Sequence, residues 1–260
     1  MTDVQNQPDL RGIKIQRTGV TKIHLPFFIS DGDKIQPVTA QIQFTVSLSE
    51  NLRGTHMSRL TEILTDRTRQ PISIPDVEKI LLDAVEKLST DFAAITIAFK
   101  FFIEKFSPVS EKKSLSAVDC KFIGELTRGS RMKFTLGLVV PFTSLCPCSK
   151  EISDFGAHNQ RSICRVKLTF NNFENIFIEN FVRLIEAQGS AEIFPLLKRE
   201  DEKFITEAAY QNPKFVEDIL RDVVIALRGQ KKLAAFAVEC ENFESIHNHN
   251  AFAAHEEILS

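Results

Sequence analysis

A strict alternation of apolar and polar residues restricts the possible folds of this chain more than any other feature. Between Thr39 and Leu48 every second residue is apolar, and the residues between them are Thr, Gln or Ser. Successive side chains of a β-strand point to opposite faces, so this pattern predicts a strand with one buried face. Thr21–Ser30 is its predicted hairpin partner, because the intervening Asp31-Gly32-Asp33 is typical of a turn.

The spacing of the apolar residues then changes twice in the first half. Intervals of three and four, weak from Met57 to Leu64 and strong after Pro75, predict two helices. Alternation returns in the segments Ile95–Ile103 and Val118–Thr127, which are therefore predicted strands. The predicted order of the first half is β-β-α-α-β-β.

A similar order is predicted for the second half. The predicted elements are strands at Lys133–Thr143 and Arg165–Asn171, a helix near Asn180–Ala187, a helix from Asn212 to a cap at Gly229, and a strand at Leu233–Cys240. We expect an α+β protein with a polar lead-in (residues 1–20) and two repeated domains (21–129 and 130–260). Antiparallel sheets with helices on one face leave the other face uncovered, which predicts a homo-oligomer.

Composition excludes several classes of function. Of the 260 residues, 43% are hydrophobic, which is enough for a large core, and the formal net charge is only −2, which argues against a nucleic-acid partner. The sequence has no apolar run of the ~20 residues that cross a membrane, and its polar start lacks the core of a signal peptide. Five cysteines, an odd number, disfavour a disulfide framework. We therefore expect a cytoplasmic protein without a membrane partner.

The connection at residues 141–162 combines the residue types of a chemical site. Cys146, Cys148 and His158 lie there between two predicted strands, whereas the other three cysteines lie in segments predicted to be buried. Thiolate and imidazole are ligands that Zn²⁺ prefers, so this pair could begin a metal site. The C-x-C spacing is not a standard zinc spacing, however, and merely exposed thiols remain an alternative. A Cys146–Cys148 disulfide would be strained.

Other candidate groups are distant in sequence. Glu202 and His247 could complete a metal site only if the fold brought them to the loop. The charged stretch Leu196–Lys203 by itself is typical of a solvated loop, and Glu217 of a carboxylate in the first turn of a helix.

Several motifs resemble the type IB GTP cyclohydrolases of bacteria and archaea. They are Cys-Pro-Cys-Ser-Lys-Glu-Ile-Ser with Gly-Ala-His-Asn-Gln-Arg-Ser, Gly-Thr-His-Met-Ser-Arg at 54–59, Leu-Leu-Lys-Arg at 196–199 with Asp201-Glu202, Phe-Val-Glu-Asp at 215–218 and Glu-Ser-Ile-His-Asn-His at 244–249. They span nearly the whole chain. The resemblance implies two tandem tunnelling-fold domains (ββααββ) that assemble into an oligomeric barrel, usually a homotetramer with sites between subunits.

The resemblance also implies a reaction. In that family, GTP and water give formate and 7,8-dihydroneopterin triphosphate, the entry to folate-type pterins and, in many bacteria, to deazapurine tRNA modification. A metal-activated water attacks C8 of the purine, and the ring then opens and rearranges. The implied cofactor is a divalent metal, namely zinc, manganese or iron.

Roles for individual residues follow from the same resemblance. The implied metal ligands are Cys146, His158, Glu202 and His247, and Cys148 and His249 are implied as neighbouring catalytic groups alongside Cys146. Glu217 resembles the carboxylate that anchors the purine. The candidates for the triphosphate are Lys198, Arg199, Arg161, His56 and Arg59. Glu200 stands where other members have proline, which leaves open whether Glu200 or Glu202 is the ligand.

Two alternatives belong to other classes of function. A nitrile-reducing enzyme of deazaguanine metabolism shares the tandem fold, but we find no Glu-Ser-Lys-Ser cofactor motif in the sequence. A non-catalytic protein that binds purine, pterin or metal is the other alternative, and the joint presence of thiol, imidazole and carboxylate argues against it.

Overall fold

Nine strands and six helices form the computed structural model, which describes residues 3–259. In chain order these are β1 (Ile15–Asp31), β2 (Lys34–Leu48), α1 (Met57–Arg67), β3 (Pro71–Ile72), α2 (Ile74–Lys87), β4 (Phe92–Phe106), β5 (Lys113–Thr127), β6 (Lys133–Leu145), α3 (Pro147–Ile152), β7 (Asn159–Phe170), α4 (Ile178–Glu186), α5 (Arg199–Gln211), α6 (Val216–Arg228), β8 (Leu233–Asn242) and β9 (Ala251–Ile258). The predicted α+β class is confirmed.

The strands follow a single hydrogen-bonded order, β3-β1-β2-β4-β5-β6-β7-β8-β9. This corrects the expectation of two separate sheets, because β5 and β6 are neighbours across the short turn that contains Gly129 (φ +79°). Pairing these two strands leaves neither with an unpaired edge. The sheet is also not wholly antiparallel, since β1 pairs in parallel with β3 at Phe28↔Pro71 and Ile29↔Ile72.

Two compact units divide the chain, and neither is one continuous segment. The first contains residues up to Lys100 together with 120–136 and 173–176, and the second contains 101–119, 137–172 and the residues from Phe177 onward. The predicted domain boundary near Gly129 stays a prediction.

Helices α1 and α2 cover the first unit's core. The alternation in β2 is confirmed, since Ala40, Ile42 and Phe44 are all buried. The strand β5 has glycine at position 124, where a Cβ would lie 2.7 Å from Val77 Cγ1 of α2. A glycine at this position therefore allows α2 to pack close to the sheet.

In the second unit, α6 packs against β8 and β9 and also contacts α4. The apolar residues Ile219, Val223 and Leu227 of α6 are buried, as their spacing of four residues predicts.

Several boundaries differ from the predictions. Strand β1 begins at Ile15, so residues 15–20 belong to the sheet rather than to a lead-in. Residues further upstream bond to the turn after β2, where Arg53 N donates to Gln7 O (3.0 Å). The predictions for residues 1, 2 and 260 lie outside the residues that the structure describes. In residues 15–20 the side chains show no clear alternation, and backbone pairing with β2 supplies the order instead.

Four elements have no counterpart among the predictions: β3, α3, α5 and β9. Taken together, most residues of α3 and α5 are exposed, so their sequences show little helical periodicity of apolar residues. In β9 the side chains alternate between partly exposed and exposed positions rather than between buried and exposed ones. No helix within residues 3–259 is both long and apolar enough to cross a membrane.

Candidate active site

Cys146 directly follows strand β6 and forms the N-cap of α3. Pro147 occupies the first helical position, where its missing N–H costs no hydrogen bond. Ser149 N lies 3.5 Å from Cys146 Sγ, and Ser149 Oγ donates to Cys146 O (3.1 Å). These contacts orient the half-buried sulfur, whereas the Cys148 thiol on α3 is exposed.

His158 lies beside Cys146 because the ends of the connection pair with each other. Cys146 N donates to His158 O (3.1 Å), and His158 N donates to Ser149 Oγ (3.2 Å). The structure thus joins, through their backbones, the two residues that the sequence singled out, at the junction of β6 and β7.

The His158 ring has a polar environment that sequence reasoning missed. Its Nδ1 lies 3.0 Å from Gln160 Oε1 and 3.3 Å from Ser245 Oγ. Gln160 is buried at an inward position of β7. A polar residue in a row of otherwise buried positions is the sequence feature that could indicate such a role. The predicted strand begins only at Arg165, so Gln160 lies outside it.

The segment between β8 and β9 approaches the same place. Phe243 N donates to Arg161 O (2.9 Å), which continues the β7–β8 pairing and carries Ser245 to His158. Farther along, the exposed rings of His247 and His249 stack with their centroids 5.2 Å apart.

The far end of this segment is held by Glu241. Asn250 Nδ2 donates to Glu241 Oε1 (2.8 Å), and Arg165 contacts the other carboxylate oxygen (2.8 Å). These hydrogen bonds, from Asn250 and then Arg165, hold the pKa of Glu241 below its ordinary value. The carboxylate thereby connects the far end of the histidine-bearing segment to β8, on which Glu241 lies, and to Arg165 of β7.

Glu217 lies in the first turn of α6, and its side chain is exposed. The start of this helix is attached to the residue before Cys146, because Lys214 N donates to Leu145 O (3.0 Å). Lys214 Nζ also donates to Gln188 O (3.0 Å) and to Asp222 Oδ2 (2.8 Å). Glu217, the predicted purine-anchoring carboxylate, therefore lies in a helix that begins next to the end of β6, directly before Cys146.

Lys198, Arg199 and Glu202 lie at the start of α5, all exposed. The charged stretch expected to be a loop is thus a helix N-terminus, because Asp201 completes a capping box with Lys198 N (2.8 Å). Asp201 is fully buried and also accepts hydrogen bonds from Val109 N, Ser110 N and Ser110 Oγ at 2.6–2.9 Å. Sequence reasoning did not assign it a role.

Glu202 is not gathered with Cys146 and His158. The other end of α5 contacts α3, where Lys150 Nζ lies 4.4 Å from the Tyr210 ring centroid. Eight residues of helix separate Tyr210 from Glu202, which is about 12 Å along the axis. Within residues 3–259, no group of three or more His, Cys, Asp or Glu residues is arranged to hold a metal ion.

The two remaining phosphate candidates belong to the first unit. His56 is the N-cap of α1, and its Nε2 lies 3.5 Å from Asp3 Oδ2. Arg59 donates from Nη1 to Lys87 O (2.9 Å), at the end of α2. Both side chains therefore have structural contacts within their own unit.

Comparison with solved structures places the fold. The chain is similar to the uricase of Arthrobacter globiformis (TM-score 0.54, 8% identity, 94% of this chain and 93% of that one). A uricase from Bacillus fastidious gives a TM-score of 0.51 at 8% identity, with 94% and 93% covered. These are tunnelling-fold proteins, and at such low identity the likeness concerns the fold alone.

Sequence comparison is more specific. Proteins named GTP cyclohydrolase FolE2 are 48% identical over 254 residues in Nitrosomonas eutropha (97% of this chain, 94% of the relative) and 46% identical over 258 residues in Geobacter sulfurreducens (99% and 98%). Residues 1–253 match the family described as type I GTP cyclohydrolase folE2. With the Cys146–His158 pair in place at the end of β6, this match over nearly the whole chain shows that the protein belongs to the type I GTP cyclohydrolase FolE2 family.

Proposed function

We propose that this chain is a GTP cyclohydrolase, which converts GTP and water to 7,8-dihydroneopterin triphosphate and formate in folate biosynthesis. The observation that carries the proposal is the joined Cys146–His158 pair in a chain that matches its family over residues 1–253. The same match favours this activity over the nitrile-reducing alternative.

A divalent metal fits the donors that the chain supplies. Cys146 offers a thiol, and His158 offers an imidazole. The Nδ1 of this ring faces Gln160 and Ser245, which leaves Nε2 as the nitrogen that would bind the metal. Zinc, iron or manganese suits this pair with a carboxylate, and when bound it supplies the Lewis acidity that activates water toward C8. We propose Glu202 and His247 as the remaining ligands.

Glu202 is proposed to come from a neighbouring subunit. It lies about 12 Å along α5 from the residue that contacts α3, whereas the segment with His247 reaches His158 in the same chain through Ser245. A homotetramer of tandem tunnelling-fold domains, with the site between subunits, would bring α5 of one chain to the β6–β7 connection of another.

The substrate is proposed to contact groups around this pair. The Glu217 carboxylate can accept two parallel hydrogen bonds from the N–H groups of the guanine edge. Cys148 is exposed on α3 and His249 is exposed in the segment that carries Ser245, and both are proposed to move protons, since a thiol and an imidazole can each donate and accept a proton. The triphosphate is assigned to Lys198, Arg199, Arg161, His56 and Arg59, because several cations are needed to offset its charge.

The activity is tested with purified protein and added Zn²⁺, Fe²⁺ or Mn²⁺. After oxidation and dephosphorylation of the products, we expect a fluorescent pterin from GTP, and formate in equal amount. Elemental analysis of protein isolated without chelator would identify the metal. If none of the three metals supports formation of a pterin, the proposed function is wrong.

A further inference from the structure

A row of buried polar side chains leads along β6 and β7 toward His158. The inward positions of β7 are apolar at Val166, Leu168 and Phe170, but become polar at Ser162 and Gln160 as the strand approaches the site. Across from them, Ser144 of β6 is also fully buried. Burying polar groups costs free energy unless they are hydrogen-bonded, so their placement beside the candidate site requires an explanation.

These side chains form one connected chain of hydrogen bonds. Ser162 Oγ lies 2.8 Å from Ser144 Oγ, and Gln160 Nε2 donates to Ser144 Oγ (2.9 Å). With its amide nitrogen committed to Ser144, Gln160 presents Oε1 to His158 Nδ1 at 3.0 Å. An amide oxygen can only accept, so this contact is a hydrogen bond only when the hydrogen is on Nδ1. The Ser245 hydroxyl, 3.3 Å from the same Nδ1, can also accept and is compatible with that tautomer.

We infer that Gln160 is a positioning residue, which holds neutral His158 in the tautomer with hydrogen on Nδ1 and thereby directs the Nε2 lone pair toward the site. Ser144 and Ser162 act one step further back, because Ser144 Oγ accepts from the amide nitrogen of Gln160 and so favours the orientation in which Oε1 faces the ring. Ligand histidines commonly donate their second N–H to such an acceptor, which sets both tautomer and ring orientation. The purpose of this arrangement rests on the proposed function, whereas the tautomer is a property of the chain itself.

The first test needs neither metal nor GTP. Metal-free protein with ¹⁵N-labelled histidine is studied by NMR about two pH units above the ordinary histidine pKa of about 6.5. For His158 we expect the signals of a protonated (pyrrole-type) Nδ1 and an unprotonated (pyridine-type) Nε2. These signals are assigned to His158 by their absence from the spectrum of the His158→Gln variant. The opposite tautomer, or an equal mixture of both, would overturn the inference.

The second test compares three variants by metal titration against a competing chelator. Gln160→Leu removes the acceptor and should weaken Zn²⁺ binding about 10- to 100-fold, with a mixed tautomer in the metal-free protein. Gln160→Glu keeps an acceptor oxygen toward Nδ1, and should restore most of the affinity. Gln41→Leu is the matched control, because Gln41 Nε2 also lies near a histidine nitrogen (His24 Nε2, 3.4 Å), in the first unit. We expect no change in that control.

The outcomes separate this inference from the proposed function. Unchanged Zn²⁺ affinity in Gln160→Leu would refute a positioning role even if the enzyme converts GTP. Conversely, the unmodified protein could show the Nδ1–H tautomer and lose it in Gln160→Leu, yet form no pterin from GTP. That result would support the role of Gln160 and refute the proposed function. If Gln160→Leu does not fold, the tautomer in the unmodified protein still decides.

Discussion

Two cysteines one residue apart have different surroundings. The Cys146 sulfur is half-buried and receives a contact from Ser149 N, whereas Cys148 is exposed on α3. The other three thiols are buried. For Cys164, the hydrogen bond with Cys240 and then burial hold the thiol pKa well above its ordinary value. The three buried thiols are closed off from solvent, which leaves the loop as the accessible source of a sulfur ligand.

Replacing Cys146 by alanine should therefore remove the metal and abolish turnover. The expected loss of activity is at least about 1,000-fold, because the displacement of a ligand disturbs the activated water itself. Cys148→Ala is the matched control, and should retain the metal, measured by elemental analysis, even where its rate falls. A fully active Cys146→Ala enzyme would remove this residue from the site.

Glu217→Gln separates substrate binding from metal binding. The amide keeps the size of the side chain but loses one acceptor and the charge, so we expect weaker GTP binding by about 10- to 100-fold, as for a lost charged hydrogen bond. Metal content should remain that of the unmodified protein. Loss of metal in this variant would show that the carboxylate has a different role.

At the scale of elements, the start of α5 is the clearest case of a local contact that sets a functional position. Asp201 bonds both to the first turn of α5 and to the β4–β5 connection at Val109 and Ser110. Burial alone would raise the pKa of Asp201, but the hydrogen bonds from Ser110, Lys198 and Val109 outweigh it and hold the pKa well below its ordinary value. One carboxylate thus places Lys198, Arg199 and Glu202.

This depressed pKa has a defined sign for stability. The contribution of Asp201 is fully present above the unfolded pKa of about 3.9 and is lost as the pH falls through the lower folded pKa. Asp201→Asn should lower the melting temperature by several degrees at pH 7, because an amide N–H₂ then faces backbone donors. Its melting temperature should also decrease less than that of the unmodified protein between about pH 5 and pH 3.

Asp218→Asn is the control for this prediction. Asp218 caps α6 through a contact with Phe215 N (3.1 Å), but it is not fully buried and makes no comparable contact with a second element. Calorimetry should show a smaller effect there. Equal effects in the two variants would mean that Asp201 acts only as a helix cap.

At the scale of the whole molecule, the exposed apolar side chains and the separation of Glu202 from Cys146 and His158 both favour association of subunits. Phe106 and Leu115 are 54% and 57% exposed, although both belong to strands of the sheet. Exposed apolar side chains on a sheet are typical of a surface that another subunit covers. Sedimentation should therefore give an oligomer, which we expect to be a tetramer.

Mixing two inactive variants tests whether the site is shared between subunits. Cys146→Ala and Glu202→Gln should each be inactive alone. After dissociation and joint reassembly, some sites would combine an intact Cys146 with an intact Glu202 from different chains, and pterin formation should reappear. Reassembly of each variant alone is the control. No recovery in mixed oligomers, shown to be mixed by mass spectrometry, would place both residues of a site in one chain.

The sequence determined much of the secondary structure by itself, because periodicity is a local property. The alternation at Ala40, Ile42 and Phe44 and the helical spacing after Pro75 each reflect neighbours within a few positions, and both elements form as predicted. Candidate groups could also be identified locally, since Cys146 and His158 occur in one connection. The helices α3 and α5 could not be predicted in this way, because their apolar periodicity is weak. Their starts are defined by the cap at Cys146 and by the capping box between Lys198 and Asp201.

Only the tertiary structure decided which distant groups meet. The approach of Ser245 to His158 depends on β7–β8 pairing across about 80 residues, and the start of α6 reaches Leu145 through a single backbone hydrogen bond. No local pattern encodes such pairings, because they result from strand register and packing of the whole unit. The connection that carries Cys146 and His158 was visible in the sequence, whereas the Gln160 that orients His158 became visible only when β7 was placed.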